Sequence, residues 1–427
     1  MNCTINKTLK QIIKTVGTFG EVALGERLID DIENGGEQID SVLHLVEGLL
    51  EGGFAHKGAR LVPRLRQILA KKTLTQWEKE RSYCLLLKLL QADGRLQEAH
   101  CAFEEAKSQV KQKESLLHAA LAMNKAEELG DLKGEMGSFA QLSLQLHFGQ
   151  WEECSDTVRS IKNESERIRA LELWIERIED RRWRSFLPEL ISTIPRPEKR
   201  AHLLTMLAER LVSKDMALGV QQTINEALIT ANGLTPFPRA TIMARLVYVL
   251  KVKERVDEAI ELANETMKIA AAQGKAAREG LLEQLGLHCA RAGLLEIARL
   301  VSAQEEDEER RGQVECAIVK ALLEKGDREG ARQVVARINH PDGRVRAGAM
   351  HVEACLPVRG PTWALRQVRL ILELADMRSA GKQAYAHLVP ILFLCAKDEC
   401  QQREAIELFS ELLDIVTEDS VHSPRAA

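Results

Sequence analysis

EERRGQVECAIVKALLEKGDREGARQVVARI (308–338) decides the fold of this 427-residue chain. In its first half Val314, Ala317, Ile318, Ala321 and Leu322 recur at helical spacing, and in its second half Ala331, Val334, Val335 and Ile338 do the same. Gly326-Asp327 makes a tight turn between them, so the stretch predicts two amphipathic helices folded into a hairpin. One hairpin cannot bury its own apolar stripes. It needs similar hairpins on either side.

The neighbours are found by an offset read from this hairpin: Gly326 is followed five residues later by the small residue Ala331. The same offset joins Gly94 to Ala99, Gly293 to Ala298, Gly53 to Gly58 and Gly149 to Cys154, and without glycine Glu254 to Ala259, Lys214 to Gly219 and Cys400 to Ala405. A small side chain in the first turn of a second helix lets two helices cross closely, while the turn residue ends the first helix. A second mark lies between hairpins, where an isoleucine precedes an arginine by six residues: Ile161 and Arg167, Ile194 and Arg200, Ile338 and Arg344. Successive turns are roughly 31 to 41 residues apart, the period of helical-hairpin arrays, and about ten hairpins are implied. The register is broken between Gly130 and Gly149, which leaves one helix around 114–148 without an obvious partner. The expected organisation is a pair of N-terminal capping helices (1–35, ended by Gly35-Gly36), a repeat array (36–417) and a flexible polar tail (418–427).

Composition agrees with an all-α chain. Apolar residues make 45% and charged residues 29%, enough of both for a folded core and a solvated surface, and aromatics make only 4%. A formal net charge of −4 gives no global field toward nucleic acid or an anionic membrane. No apolar run reaches the roughly 18 residues of a membrane span, and the N-terminus carries no secretory signal pattern. Nine cysteines are scattered rather than paired in CxxC units, which fits free thiols in a reducing compartment; the expected location is cytoplasmic.

ADGRLQEAHCAFEEA (92–106), KERVDEAIELANETM (253–267) and EKGDREGARQVV (324–335) resemble, in divergent form, the turn and second helix of tetratricopeptide repeats. The resemblance rests on Gly94, Glu254 and Gly326 at the turn and Ala99, Ala259 and Ala331 in the helix. It implies a right-handed superhelical α-solenoid that binds proteins or peptides along a concave surface without catalysis. YCLLLKLLQADGRLQEAHCAFEEA (83–106) is also similar to a pentatricopeptide repeat, which implies single-stranded RNA as an alternative ligand. No recurring polar pair at fixed positions reads successive bases, so nucleic acid is not the expected partner.

Candidate chemistry is sparse. His351 and Cys355 share a helix face, but zinc needs three or four ligands and no second pair lies nearby in sequence. His100-Cys101 and His288-Cys289 are adjacent pairs pointing to different faces, so neither makes a nucleophile and base dyad. No HExxH, GxSxG, GxGxxG or phosphate-binding loop occurs, so the expectation is no enzyme, no metal and no cofactor; an active site of dispersed residues is the weaker alternative. KGARLVPRLRQILAKK (57–72) places Lys57, Arg60 and Arg64 on one helical face with Arg66, Lys71 and Lys72 beyond. A second basic cluster holds Arg181, Arg182 and Arg184 among Arg177, Arg196, Lys199 and Arg200. Both are candidate docking surfaces for an acidic partner or a phosphate backbone. The acidic run 305–309 reads as the start of a helix, and the five tryptophans read as packing between helices rather than partner anchors.

Overall fold

The structure is a computed structural model, and it describes residues 2–32, 34–71, 73–109, 138–178, 186–216, 219–376 and 382–417. Among these residues every regular element is a helix, and the protein is an all-α solenoid of stacked helical hairpins. The chain divides into two compact units, Ser138–Ala354 and Met1–Gly137 together with Cys355–Ala427.

In Ser138–Ala354 the first helices of successive hairpins are Glu164–Glu176, Pro197–Ser213, Pro236–Val252, Lys275–Arg291 and Glu308–Glu324, and each packs on the next. Val220–Asn232, Val256–Ala271, Leu295–Gln304 and Arg328–Arg337 are among the second helices. Each is packed back on its own first helix. One contiguous core runs from Leu142 to Ala347, so the apolar interior lengthens hairpin by hairpin. Within it Val314, Ile318 and Leu322 are almost completely buried, a gain of about 2 kcal/mol each.

The sequence offset has a structural cause. Gly53, Gly94, Gly149, Gly293 and Gly326 all have positive φ, and Glu254 adopts the same left-handed geometry at φ 60°. Five residues on, Ala99, Cys154, Ala259, Ala298 and Ala331 are fully buried where the helices cross. At the turn expected at Lys214 the left-handed residue is Asp215 (φ 52°), one position later. A short polar side chain tolerates that conformation better than lysine does. The second mark is explained in two of its three copies: Ile161, Ile194 and Ile338 all plug the link between hairpins, while Arg200 and Arg344 donate back to Ser192 O and Ala336 O at 3.4 and 2.9 Å. Those carbonyls lie at the end of the preceding second helix, where none is satisfied within the helix.

In the other unit, Asn2–Thr18 packs against Gly35–Glu51 and also against Val389–Ala396 and Gln402–Thr417. Phe19 stacks on Phe393 at 5.1 Å between ring centres, and Phe393 meets Phe409 edge-on at 5.6 Å. The first helix of the chain is therefore covered by the last hairpin. Gly35-Gly36 lies in the first turn of a helix rather than ending one: Asn34 caps it by accepting from Gly36 N at 2.9 Å. The helix expected to be odd around 114–148 falls mostly outside the described residues. Its described end, Ser138–Phe148, packs with Trp151–Ser160.

Candidate functional site

Of the sequence-derived basic candidates, the first face and part of the second cluster can be placed. Lys57 Nζ donates to Gly20 O at 3.3 Å and lies over the Phe54 ring, Arg60 pairs with Glu26, and Arg64 pairs with Asp30 at 2.8 Å. Glu26 and Asp30 each stand 34 residues before their arginine, so this basic face forms part of a seam between neighbouring helices. Arg81 makes the same kind of bond to Glu47, also 34 residues away, at 2.8 Å, and reaches Asp40 at 2.6 Å. In the second cluster Arg196 pairs with Glu164 at 2.9 Å. Arg181, Arg182, Arg184, Lys72 and Trp183 lie outside the described residues.

The first helices of Ser138–Ala354 carry the more extensive constellation. On Pro236–Val252, Phe237, Thr241, Arg245, Tyr248 and Val252 share one stripe, with Phe237 and Val252 43% and 44% exposed. On Pro197–Ser213 the matching stripe carries Glu198, His202, Met206 and Glu209, and on Lys275–Arg291 it carries Gln284, His288 and Arg291. Arg245 joins them: its Nε and one terminal nitrogen donate to the two carboxylate oxygens of Glu209 at 3.2 and 2.5 Å, and its other nitrogen donates to His202 Nδ1 at 3.0 Å. Because arginine can only donate, His202 Nδ1 accepts, and the ring proton sits on Nε2, 3.6 Å from Glu172 on Glu164–Glu176. Arg291 covers the Tyr248 ring at 4.0 Å. The polar row thus crosses four consecutive first helices.

His288 lies beside this row with its Nδ1 buried and without a hydrogen-bond partner among the described residues. Burial, aided by Arg245 and Arg291 and opposed by Glu209, lowers its pKa from 6.5 to about 4. The folded protein therefore keeps His288 neutral where the unfolded chain is already protonated. Its contribution is intact above pH 6.5 and is lost as pH falls toward 4, by about 3 kcal/mol in full. Urea unfolding of the protein and of His288→Leu at pH 7 and 4.5 is expected to show a smaller acid-induced loss in the variant.

The link before Glu308–Glu324 holds a group that sequence reasoning missed. Glu305 stands six residues before Arg311, the place that Ile161, Ile194 and Ile338 hold before their arginines, and it is as buried as they are, at 1% exposure. Arg311 donates to Glu305 O at 3.0 and 2.7 Å. Glu305 Oε1 accepts from Asp307 N at 3.2 Å, while Oε2 has no partner among the described residues. Burial, with Glu279 nearby, raises the carboxyl above its ordinary pKa. Helix initiation falls instead to Asp307, which accepts from Arg310 N at 3.0 Å. Since isoleucine fits this slot elsewhere in the chain, Glu305→Ile is expected to stabilise the protein by about 1–3 kcal/mol at neutral pH, measured by chemical denaturation.

The tryptophans differ in burial, and four of the thiols are enclosed. Trp174 is fully buried and stacks between Trp151 and Phe186 at 6.3 and 6.2 Å, whereas Trp77 is 58% exposed beneath Arg81. Burial raises the thiols of Cys154 and Cys289 to about 12 and those of Cys316 and Cys395 to about 11, so they act as small apolar groups rather than nucleophiles. No three His, Cys, Asp or Glu side chains among the described residues are grouped to hold a metal ion, and no described helix is long and apolar enough to cross a membrane.

No protein-family model matches the chain, and no curated protein matches it. Among solved structures it is similar to one described as a circular tandem repeat protein with novel repeat topology and enhanced subunit contact surfaces. That likeness has 15% identity over 97% of this chain and 96% of the other, with a TM-score of 0.18. At that score it carries no argument about function. The class rests on the helices themselves: this is an all-α helical-repeat fold.

Proposed function

We propose that the chain is a non-enzymatic, tetratricopeptide-like adaptor that binds a protein or peptide along the first-helix face of Ser138–Ala354. The observation that carries this reading is the make-up of that face. Arg169, Arg245, Arg291 and Lys320 alternate with Glu172, Glu176, Glu198, Glu209, Glu309 and Glu324, and the exposed side chains of Phe237 and Val252 lie among them. A nucleic-acid surface needs an excess of cations to neutralise phosphates, and here carboxylates outnumber cations. Interfaces between proteins are instead built from exposed apolar and aromatic groups, with arginine, inside a rim of paired charges. Arg245 and His202 are already fixed by their neighbours, so a partner meets a preorganised surface at little entropic cost. Affinity capture from native lysate, read by mass spectrometry, is expected to enrich a protein, with no RNA retained at physiological salt. Retention of RNA without a protein partner would overturn the reading.

A further inference from the structure

The basic segment 57–72 divides into two halves that behave differently. Lys57, Arg60 and Arg64 are engaged by Gly20 O, Glu26 and Asp30. Arg66 and Lys71 instead line a cavity of about 360 Å3 with Lys79, Glu105 and Gln109. None of Arg66, Lys71 and Lys79 makes an ion pair with a described residue, although Arg81, Arg95 and Lys107 nearby all do. Glu98, whose carboxyl feels Arg66, is already gripped by both arms of Arg95 at 2.8 and 2.7 Å. Glu105, the one carboxylate among the described residues of the wall, is held by the hydroxyl of the buried Tyr83 at 2.9 Å, and among the described residues Lys79 finds only the neutral amide of Gln109 at 3.4 Å. Among the described residues the lining carries three cations and one carboxylate, an excess of two positive charges.

We propose that this cavity is a binding site for a phosphate monoester dianion. Two units of excess positive charge match the dianion, and a guanidinium fork with two ammonium groups supplies donors to its oxygens from several directions. The wall is largely polar, which suits a small, highly charged ligand rather than an apolar one. Binding would relieve the mutual repulsion of the three cations and supply the counter-charge that their neighbours obtain from within the chain. The lining residues belong to the unit Met1–Gly137 with Cys355–Ala427, whereas the first-helix face belongs to Ser138–Ala354.

The test is calorimetric titration of the full chain at fixed ionic strength with inorganic phosphate, O-phosphoserine, serine and a phosphoserine-containing peptide. Phosphate and O-phosphoserine are expected to bind and serine is not. Lys71→Gln/Lys79→Gln is expected to weaken binding at least about tenfold, as the loss of two charge-assisted contacts requires. Arg332→Gln, an exposed cation paired with Glu329 in the other unit, is expected to leave it unchanged. Equal affinity for inorganic phosphate and the peptide assigns the site to free phosphorylated small molecules, and at least tenfold tighter peptide binding assigns it to a phosphorylated segment of a protein. Thermal melting of the double variant establishes that it is folded. No heat from phosphate or O-phosphoserine up to about 10 mM, or equal binding by a folded double variant, overturns the proposal.

Discussion

Gly48→Ala is expected to lower the melting temperature by about 8 °C, although alanine in the middle of a helix ordinarily stabilises it by about 1 kcal/mol. The sign reverses because of what a Cβ at Gly48 would meet. Lys14 O would lie 2.0 Å away and Gly17 Cα 3.1 Å away, both backbone atoms that cannot rotate aside. Gly17 faces Leu45 O in the same manner at 2.5 Å, and Gly52 faces Thr18 O at 2.3 Å. Asn2–Thr18 and Gly35–Glu51 therefore cross with backbone against backbone, and the first of these also supports the last hairpin through Phe19 and Phe393. A methyl group at Gly48 must push the two helices apart and loosen both contacts, at a net cost of about 2–4 kcal/mol. Gly35→Ala is the control: no atom lies within 4 Å of its Cβ position, and no loss of stability is expected. Differential scanning calorimetry of the two variants reads the difference directly. An unchanged melting temperature for Gly48→Ala would mean that the crossing is wider than described.

What the sequence made legible is what the chain encodes locally. The left-handed turn at Gly326 and the buried Ala331 are five residues apart, and a helix pair must satisfy both within a few turns, so their spacing repeats visibly. The isoleucine and arginine link is equally local, and the structure supplies its reason in the bond from Arg344 to Ala336 O. The sequence is silent where the partner is remote or where a residue departs from the rule of its own position. Lys57, Arg60 and Arg64 read as an open basic face because Glu26 and Asp30 belong to the preceding hairpin. Phe19 and Phe393 meet from opposite ends of the sequence, and no periodicity announces that contact. Glu305 read as part of an acidic helix start, yet its place six residues before Arg311 is the isoleucine slot. Aligning the links rather than the composition would have found it. The row from Glu172 through His202, Arg245 and Glu209 to His288 had a weaker signal, since its members stand at unequal spacings on four helices and only stacking brings them together.

The second large effect concerns binding. Phe237→Ser/Val252→Ser removes two exposed apolar side chains from one stripe without opening the core, so the fold is expected to survive while the partner is lost. Truncating one anchor at the centre of an interface commonly costs about 2 kcal/mol, and two such losses lower affinity by about a thousandfold, enough to empty a capture experiment. Affinity capture from native lysate, run in parallel with the natural chain and with this double variant of unchanged melting temperature, tests the account most directly. A protein is expected to be retained by the natural chain at physiological salt and to be absent from the variant. The same proteins recovered in equal amount by both, or RNA recovered in place of protein, would contradict it.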